Sequence, residues 1–131
     1  MTNTATDRQR FCNEWLAAWT GNRPATLLAF YTEDAFYLDP ANPNGMKGHK
    51  EMLPYFEKLL SRNPDWRWES EELFTSEKGF ILKWKATIPV KGTSLILHGL
   101  DIIEMRGMQI NRNEVYFDRV KWLELMKAGS L

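Results

Sequence analysis

One stretch of the sequence alternates strictly between apolar and mostly polar residues: Phe80-Ile81-Leu82-Lys83-Trp84-Lys85-Ala86-Thr87-Ile88. Successive side chains of a β-strand point to opposite faces, so this pattern predicts a strand with one apolar face. Strand-like stretches at 66–76, 94–105 and 109–121 flank it, and glycine-containing turns separate them. We therefore predict a four-stranded antiparallel meander that buries one of its faces.

The first half of the chain carries helical spacing instead. A first helix is predicted from Asp7 to a stop at 20–22, because apolar residues recur three and four positions apart. These apolar residues are Phe11, Trp15, Leu16 and Trp19. A second short helix is predicted to begin at Pro24. A third is predicted over 49–60, where Pro54 favours a kink or a late start.

The segment between the second and third helices is predicted to be a short strand followed by a loop. Residues 35–38 favour the strand, whereas two prolines and an Asn-Gly pair over 39–45 favour irregular structure. Helices followed by a meander are typical of the α+β class, with the helices covering one face of an antiparallel sheet. From the length of 131 residues we expect one domain spanning 1–131, with an ordered core at about 7–126.

Composition argues against several classes of function. The 17 basic and 17 acidic side chains give a net charge of zero, which argues against nucleic acid and anionic membranes as partners. One cysteine, Cys12, excludes a disulfide framework, and with two histidines it cannot form a Cys/His zinc site. We expect neither a metal nor a cofactor. The lone cysteine suits a reducing compartment and no apolar run opens the sequence, so we expect a cytoplasmic protein.

Strand alternation places one carboxylate among apolar side chains. If the apolar face of the Phe80 strand meets the helices, the next strand presents Leu97, Gly99, Asp101 and Ile103 to the same side, with His98 on the opposite face. An unpaired buried carboxylate costs several kcal/mol when ionised, so Asp101 must be protonated, paired or solvated in a cavity. Asp101 is therefore either a functional group with a perturbed pKa or a residue that fixes the sheet.

Two other polar residues are candidates for the same site. Asp39 ends the predicted short strand just before the Pro-rich loop, where it is either a functional carboxylate or a turn residue. Asn113 alternates onto the face of Val115 and Phe117, where it is either a polar handle in an apolar pocket or a buried, satisfied amide. Aromatic residues make up 13% of the chain and include six Trp, enough to wall a cavity with rings.

Five segments of the sequence together resemble a known superfamily. They are Trp15-Leu16-Ala17-Ala18-Trp19, Phe30-Tyr31-Thr32-Glu33-Asp34-Ala35-Phe36-Tyr37-Leu38-Asp39-Pro40, Gly45-Met46-Lys47-Gly48, Gly99-Leu100-Asp101 and the run from Ile110 to Asp118. In this order they resemble the nuclear transport factor 2-like superfamily, and within it the SnoaL-like polyketide cyclases and the ketosteroid isomerases. The resemblance covers the chain from about Asp7 to Leu125. Its motifs are specific for the superfamily and weak for any one activity, since this fold hosts many functions.

The resemblance implies an architecture and a set of roles. It implies a cone in which a strongly curved sheet wraps a long N-terminal helix and leaves an apolar cavity open at one end. It also implies a homodimer formed through the convex sheet face. Asp39 matches the general base of the isomerases, and Asp101 matches their protonated acid in the oxyanion hole. Trp15 matches a tyrosine that donates to the substrate oxygen, but an indole N–H is a donor only and its ring is bulkier.

These considerations leave three functions open. The first is isomerase or cyclase chemistry on a small carbonyl compound, in which Asp39 removes a proton while Asp101 and Trp15 stabilise the enolate. The second is a non-catalytic module that binds an apolar small molecule or docks a partner protein, and the third is a dimeric scaffold whose cavity is filled by Trp15 and Trp84. The predicted cavity, smaller than a steroid needs, is walled by Trp15, Trp19, Tyr37, Tyr55, Leu82, Trp84, Leu97, Asn113 and Phe117.

Overall fold

The computed structural model describes residues 5–129, which form four helices and one six-stranded sheet. The helices are α1 (Ala5–Ala17), α2 (Pro24–Leu28), α3 (Gly48–Arg62) and α4 (Val120–Gly129). The strands are β1 (Tyr31–Asp39), β2 (Asn42–Lys47), β3 (Arg67–Thr75), β4 (Gly79–Val90), β5 (Thr93–Arg106) and β6 (Gln109–Tyr116). The α+β class with helices on one face of a curved sheet is confirmed.

The sheet has the strand order β2-β1-β6-β5-β4-β3. The predicted meander from β3 to β6 is present, with antiparallel pairing throughout. The pair of β1 with β6 is parallel, which the prediction of an antiparallel sheet did not include. This pairing places β1 beside the meander, and the side chain of Asp39 at the end of β1 is buried.

The segment 39–45 is not the irregular loop that its prolines suggested. Asn42–Lys47 forms β2, an edge strand that pairs with β1 through Tyr37–Met46 and Asp39–Asn42. An edge strand tolerates Pro43 because its missing N–H costs no ladder hydrogen bond on the open side. Gly45 adopts a φ of 78°, and a Cβ there would lie 2.3 Å from the ring of Phe36. Glycine is therefore required at this position.

Three element boundaries also differ from the predictions. Strand β1 begins at Tyr31 and is longer than the predicted 35–38 strand. Helix α3 begins at Gly48, well before Pro54, so the late start is not observed. Strand β6 ends at Tyr116 rather than at 121, and the residues that follow 119 form α4, which the pattern did not predict.

The register divides the sheet into an inner and an outer face. On the inner face, Leu82, Trp84, Ala86 and Ile88 are buried beneath the helices. Helix α1 packs on this side, where Phe11 contacts the ring of Phe80. Among residues 5–129 no helix is long and apolar enough to span a membrane.

The outer face carries apolar side chains that no helix covers. Ile81, Ile96, Leu100 and Tyr116 are each more than one third exposed. Leu100 lies in register between Lys83 of β4 and Tyr116 of β6, so these side chains form one row across three strands. His98 is also exposed here and contacts Glu71, in agreement with its predicted outward direction.

Candidate functional site

A cavity of about 290 Å³ lies between the inner face of the sheet and the helices α1, α3 and α4. Every tryptophan of the chain lines it: Trp15, Trp19, Trp66, Trp68, Trp84 and Trp122. The side chains of Asp39 and Asp101 line the same cavity. The cavity therefore combines a wall of aromatic rings with two carboxyl groups.

The indoles brace one another by edge-to-face contacts. The ring centroids of Trp68 and Trp84 are 4.7 Å apart, and those of Trp66 and Trp68 are 5.0 Å apart. Helix α4 joins this cluster through Trp122, which contacts Trp66 at 6.0 Å and Phe117 at 6.4 Å. Aromatic pairs in these geometries contribute about 0.5–1.5 kcal/mol each beyond the area that they bury. The indoles therefore form one packed cluster, and the ring of Trp122 packs α4 against it.

Asp101 lies on β5 with both carboxyl oxygens hydrogen-bonded inside the protein. Trp84 Nε1 donates to Oδ1 at 2.7 Å, and Asn113 Nδ2 donates to Oδ2 at 2.9 Å. Only 4% of the residue is exposed. Burial raises the pKa of Asp101 to about 7, although both hydrogen bonds favour the ionised form and oppose this change. The charge of Asp39 raises the pKa slightly further.

A chain of hydrogen bonds begins at Trp15 and ends at the carboxyl group of Asp101. Trp15 Nε1 donates to the hydroxyl of Tyr31 at 3.1 Å, and this hydroxyl donates to Asn113 Oδ1 at 2.7 Å. The indole N–H can only donate, the Tyr31 hydroxyl donates its own proton to Asn113, and the amide nitrogen of Asn113 faces Asp101. The Trp15 N–H is committed to Tyr31, so Trp15 contributes its ring to the cavity and its donor to the chain.

Asp39 accepts five hydrogen bonds from the protein. The hydroxyls of Tyr37 and Tyr55 donate to Oδ2 at 2.8 Å and 2.5 Å. The backbone N–H groups of Ala41 and Asn42 and the side-chain amide of Asn42 donate to Oδ1, each at 3.0 Å. A carboxylate offers about four lone-pair positions, so these donors leave no acceptor position of Asp39 free. Burial is the main reason that the pKa values of Tyr37 and Tyr55 are raised.

Most of the predicted wall residues line the cavity. Those that do are Trp15, Trp19, Tyr37, Tyr55, Trp84 and Phe117. Leu82, Leu97 and Asn113 do not line it, although all three point inward. The inner face of the sheet extends beyond the cavity, and these side chains are buried in the core around it. Asn113 instead donates a hydrogen bond to Asp101, which does line the cavity.

Several residues of the site were not predicted from the sequence. Trp66 and Trp68 lie two positions apart at the start of β3, and their shared inward direction follows from alternation, which could have located them. Three other lining residues were missed: Arg62 lies beyond the predicted end of the third helix, Arg119 lies where a strand was predicted, and Trp122 lies in the unpredicted α4. No periodic signal in the sequence marks their direction.

Two buried polar groups near the cavity have no role in these networks. The indole N–H of Trp68 has no hydrogen-bond partner among the described residues. Cys12 is fully buried, and burial raises the pKa of its thiol to about 12, with the charge of Asp101 acting in the same direction. A thiol in this setting is protonated and inert near neutral pH.

Three solved structures illustrate the similarity of the fold. A protein from Catenulispora acidiphila with a ketosteroid isomerase-like fold, in complex with trimethylamine, has a TM-score of 0.78 at 18% identity, covering 89% of this chain and 92% of that one. An NTF2-like protein of unknown function from Burkholderia pseudomallei has a TM-score of 0.76 at 17% identity, covering 96% and 98%. SalBIII, described as an epoxide hydrolase/cyclase-like enzyme in pyran ring formation in the polyether salinomycin, has a TM-score of 0.75 at 14% identity, covering 89% and 95%. At these identities the similarity shows the fold alone.

Sequence comparison identifies the family. No curated protein matches the chain at a significant level. The family model described as the SnoaL-like domain matches residues 12–113, a span that includes α3, the whole meander up to Asn113 and both cavity carboxylates. The protein is therefore a member of the SnoaL-like domain family, with the NTF2-like cone fold that this family shares with ketosteroid isomerase-like proteins.

Proposed function

We propose that this protein binds a small apolar carbonyl compound in the indole-lined cavity and that Asp101 transfers a proton to or from it. Its family is related to polyketide cyclases and isomerases, whose reactions move protons next to carbonyl groups. The observation that carries the proposal is the position of Asp101, a buried carboxyl on the cavity wall with both oxygens held by donors from the protein. A group oriented in this way is positioned for proton transfer.

The chemistry follows from the pKa and the fixed orientation of Asp101. A pKa of about 7 leaves both protonation states populated near neutral pH, which suits a group that must accept and return a proton. The ionised carboxylate takes a proton from the carbon beside the carbonyl, and the C–H electron pair forms the enolate. The protonated Asp101 then returns a proton to carbon or to oxygen. Trp84 and Asn113 hold the carboxyl still during both steps.

In this proposal Asp39 is a positioning residue rather than the base. Its role as general base, implied by the resemblance to the isomerases, stays a prediction. Its oxygens are occupied by five donors, so it could take a substrate proton only after one of these hydrogen bonds broke. Losing one charge-assisted hydrogen bond costs roughly 1.5–3 kcal/mol. We therefore assign Asp39 to holding Tyr37 and Tyr55 in place on the cavity wall.

Proton–deuterium exchange tests the proposal without knowledge of the natural substrate. The probe is 2-tetralone, a two-ring ketone, dissolved in D₂O and followed by the loss of its α-proton signals in the ¹H NMR spectrum. The wild type is expected to accelerate exchange over buffer. Asp101→Asn, which cannot accept a proton, is expected to lower this rate by about 10²-fold or more. Asp65→Asn, an exposed position outside the cavity, is the control for the loss of one carboxylate.

The same assay separates the competing assignments. If Asp39→Asn abolishes exchange while Asp101→Asn retains most of it, the isomerase pattern holds and our assignment of Asp101 is wrong. If the wild type binds 2-tetralone without accelerating exchange, the proton-transfer proposal is wrong.

The second candidate function is non-catalytic binding of an apolar small molecule in the same cavity. The full hydrogen bonding of Asp39 favours it, since one of the two cavity carboxylates has no free acceptor position. In that case Asp101 and Asp39 only hold the side chains of the cavity wall in place. Variants of either residue then change the affinity for 2-tetralone, and neither the wild type nor any variant accelerates its proton–deuterium exchange.

We also propose that the protein forms a homodimer through the outer face of the sheet. The exposed row of Leu100 and Tyr116 supports this assignment, and Ile81 and Ile96 are exposed on the same face; exposed apolar side chains gathered on one face mark an interaction surface. The charged neighbours Lys83 and Glu114 give this face both signs of charge, which suits contact with a second copy of itself.

A further inference from the structure

Four charged side chains line the cavity, and only two of them lack partners. They are Asp39, Asp101, Arg62 and Arg119. The carboxylates are matched, Asp39 by five donors and Asp101 by two. The guanidinium groups of Arg62 and Arg119 have no hydrogen bond or ion pair to any residue between 5 and 129. Both charged cavity groups that lack a hydrogen-bond or ion-pair partner among these residues are therefore cationic.

The two arginines lie at helix ends, Arg62 where α3 finishes and Arg119 just before α4 begins. Arg62 belongs to a stripe of α3 in which residues at spacing i, i+4 and i+7, Tyr55, Leu59 and Arg62, all line the cavity. Arg119 directly precedes α4 and is close enough to Tyr55 for its charge to lower the pKa of that hydroxyl, against the larger effect of burial. Arg62 is exposed while it lines the cavity, which places it where the cavity opens to solvent.

We propose that the ligand of this cavity is an apolar ring compound that carries one carboxylate, which Arg62 and Arg119 bind at the cavity opening. This inference rests on the proposed function and names the class of its substrate. A guanidinium presents paired N–H donors that match the two oxygens of a carboxylate. The rings of the compound lie among the indoles, and its carbonyl end extends toward Asp101 on the sheet.

A cationic ligand is the main alternative, because aromatic faces also attract cations. The charges in the cavity oppose it. The carboxylate that would attract a cation, Asp39, has no free acceptor position, and Asp101 is partly neutral near pH 7. A cation would also enter past two unpaired arginines. The volume of about 290 Å³ lies at the lower end of the range for small-molecule pockets, so we expect about two fused rings rather than four.

Three isosteric probes test this inference: 2-naphthoate, 2-naphthamide and 2-naphthylmethylammonium, which are anionic, neutral and cationic at pH 7.5. Their affinities are measured by titration calorimetry. Binding in the cavity is verified by shifts of the Trp indole N–H signals in ¹⁵N spectra, which report on it because all six tryptophans line it. We expect 2-naphthoate to bind at least about tenfold more tightly than the amide, and the preference to decrease at high salt.

Single substitutions test whether Arg62 and Arg119 cause the preference for 2-naphthoate over 2-naphthamide. Arg62→Gln and Arg119→Gln are each expected to weaken 2-naphthoate binding about tenfold and to leave 2-naphthamide binding unchanged. Arg67→Gln removes the same charge from an exposed position that does not line the cavity, and it is expected to leave both affinities unchanged.

Three results would overturn the inference: equal binding of all three probes, tightest binding of the ammonium, or no indole shift with any of them. Equal binding, or tightest binding of the ammonium, would leave the proposed function intact, since 2-tetralone is neutral and its exchange depends on Asp101. The proposed function can fail independently of this inference, because the exchange assay on Asp101→Asn uses no anionic probe.

Discussion

The raised pKa of Asp101 makes the stability of the fold depend on pH in a direction that can be calculated. In the unfolded chain this carboxyl ionises near 3.8, whereas in the folded protein it ionises near 7. Between these values the folded state holds a proton that the unfolded state has released. Raising the pH through this window therefore destabilises the fold. The difference of about three pKa units corresponds to about 4 kcal/mol, since one unit is 1.36 kcal/mol.

Asp101→Asn removes this dependence and keeps the shape of the side chain. At pH 4 the wild type should be the more stable protein, because the amide has one acceptor oxygen where Trp84 and Asn113 both donate, a cost of about 1–3 kcal/mol. That cost does not change with pH. As the pH rises from 4 to 8, the variant should gain about 4 kcal/mol relative to the wild type, so that the two stability curves cross.

Urea unfolding at intervals of half a pH unit measures both curves. The expected change is a large share of the 5–15 kcal/mol that typical domains have, and it exceeds the extrapolation error of the method. Asp65→Asn, at an exposed position, controls for the loss of a carboxylate. If the difference between wild type and Asp101→Asn is the same at pH 4 and pH 8, Asp101 ionises normally in the fold, and the reasoning from its burial is refuted.

Three further predictions concern packing, the hydrogen-bond chain and the outer face. Gly99→Ala would place a Cβ 2.3 Å from the indole of Trp84, so we expect a loss of about 1–3 kcal/mol in thermal unfolding; unchanged stability would show that this ring moves freely. Tyr31→Phe leaves the Trp15 indole N–H and the Asn113 side-chain oxygen without a partner, so we expect about 2–4 kcal/mol lower stability in urea. A change within about 0.5 kcal/mol would contradict the hydrogen-bond chain from Trp15 to Asp101. Leu100→Glu is expected to convert the proposed dimer to a monomer in analytical ultracentrifugation while the circular dichroism spectrum is unchanged; a monomeric wild type would refute the dimer.

Strand alternation predicted the part of the site that lies on the sheet. Asp101 was placed on the inner face by counting from the apolar series of its strand, and Trp84 by the alternation of residues 80–88. Period-two patterns work here because one face is buried and the other is not. Asn113 was placed inward by the same argument, but alternation alone could not distinguish a wall residue from one that acts through Asp101.

The helical side of the site could not be predicted to the same extent. Arg62 and Arg119 reach the cavity from element ends, where the direction of a side chain depends on tertiary packing rather than on a repeat. Strand β2 was missed because prolines disfavour strands in general, while an edge position removes the penalty for Pro43. The five donors to Asp39 depend on this hairpin and on Tyr55 of α3. The sequence alone therefore could not show that all acceptor positions of Asp39 are occupied.

The proposed proton transfer requires Asp101 to be a buried carboxyl that exchanges a proton near neutral pH within the cavity. The most direct measurement is a ¹³C NMR titration of its side-chain carboxyl, assigned by comparison with Asp101→Asn. We predict a midpoint near pH 7 that changes when 2-tetralone is added. A midpoint near 4, unaffected by the ketone, would contradict both the protonation state that we assign to Asp101 and its contact with the ligand.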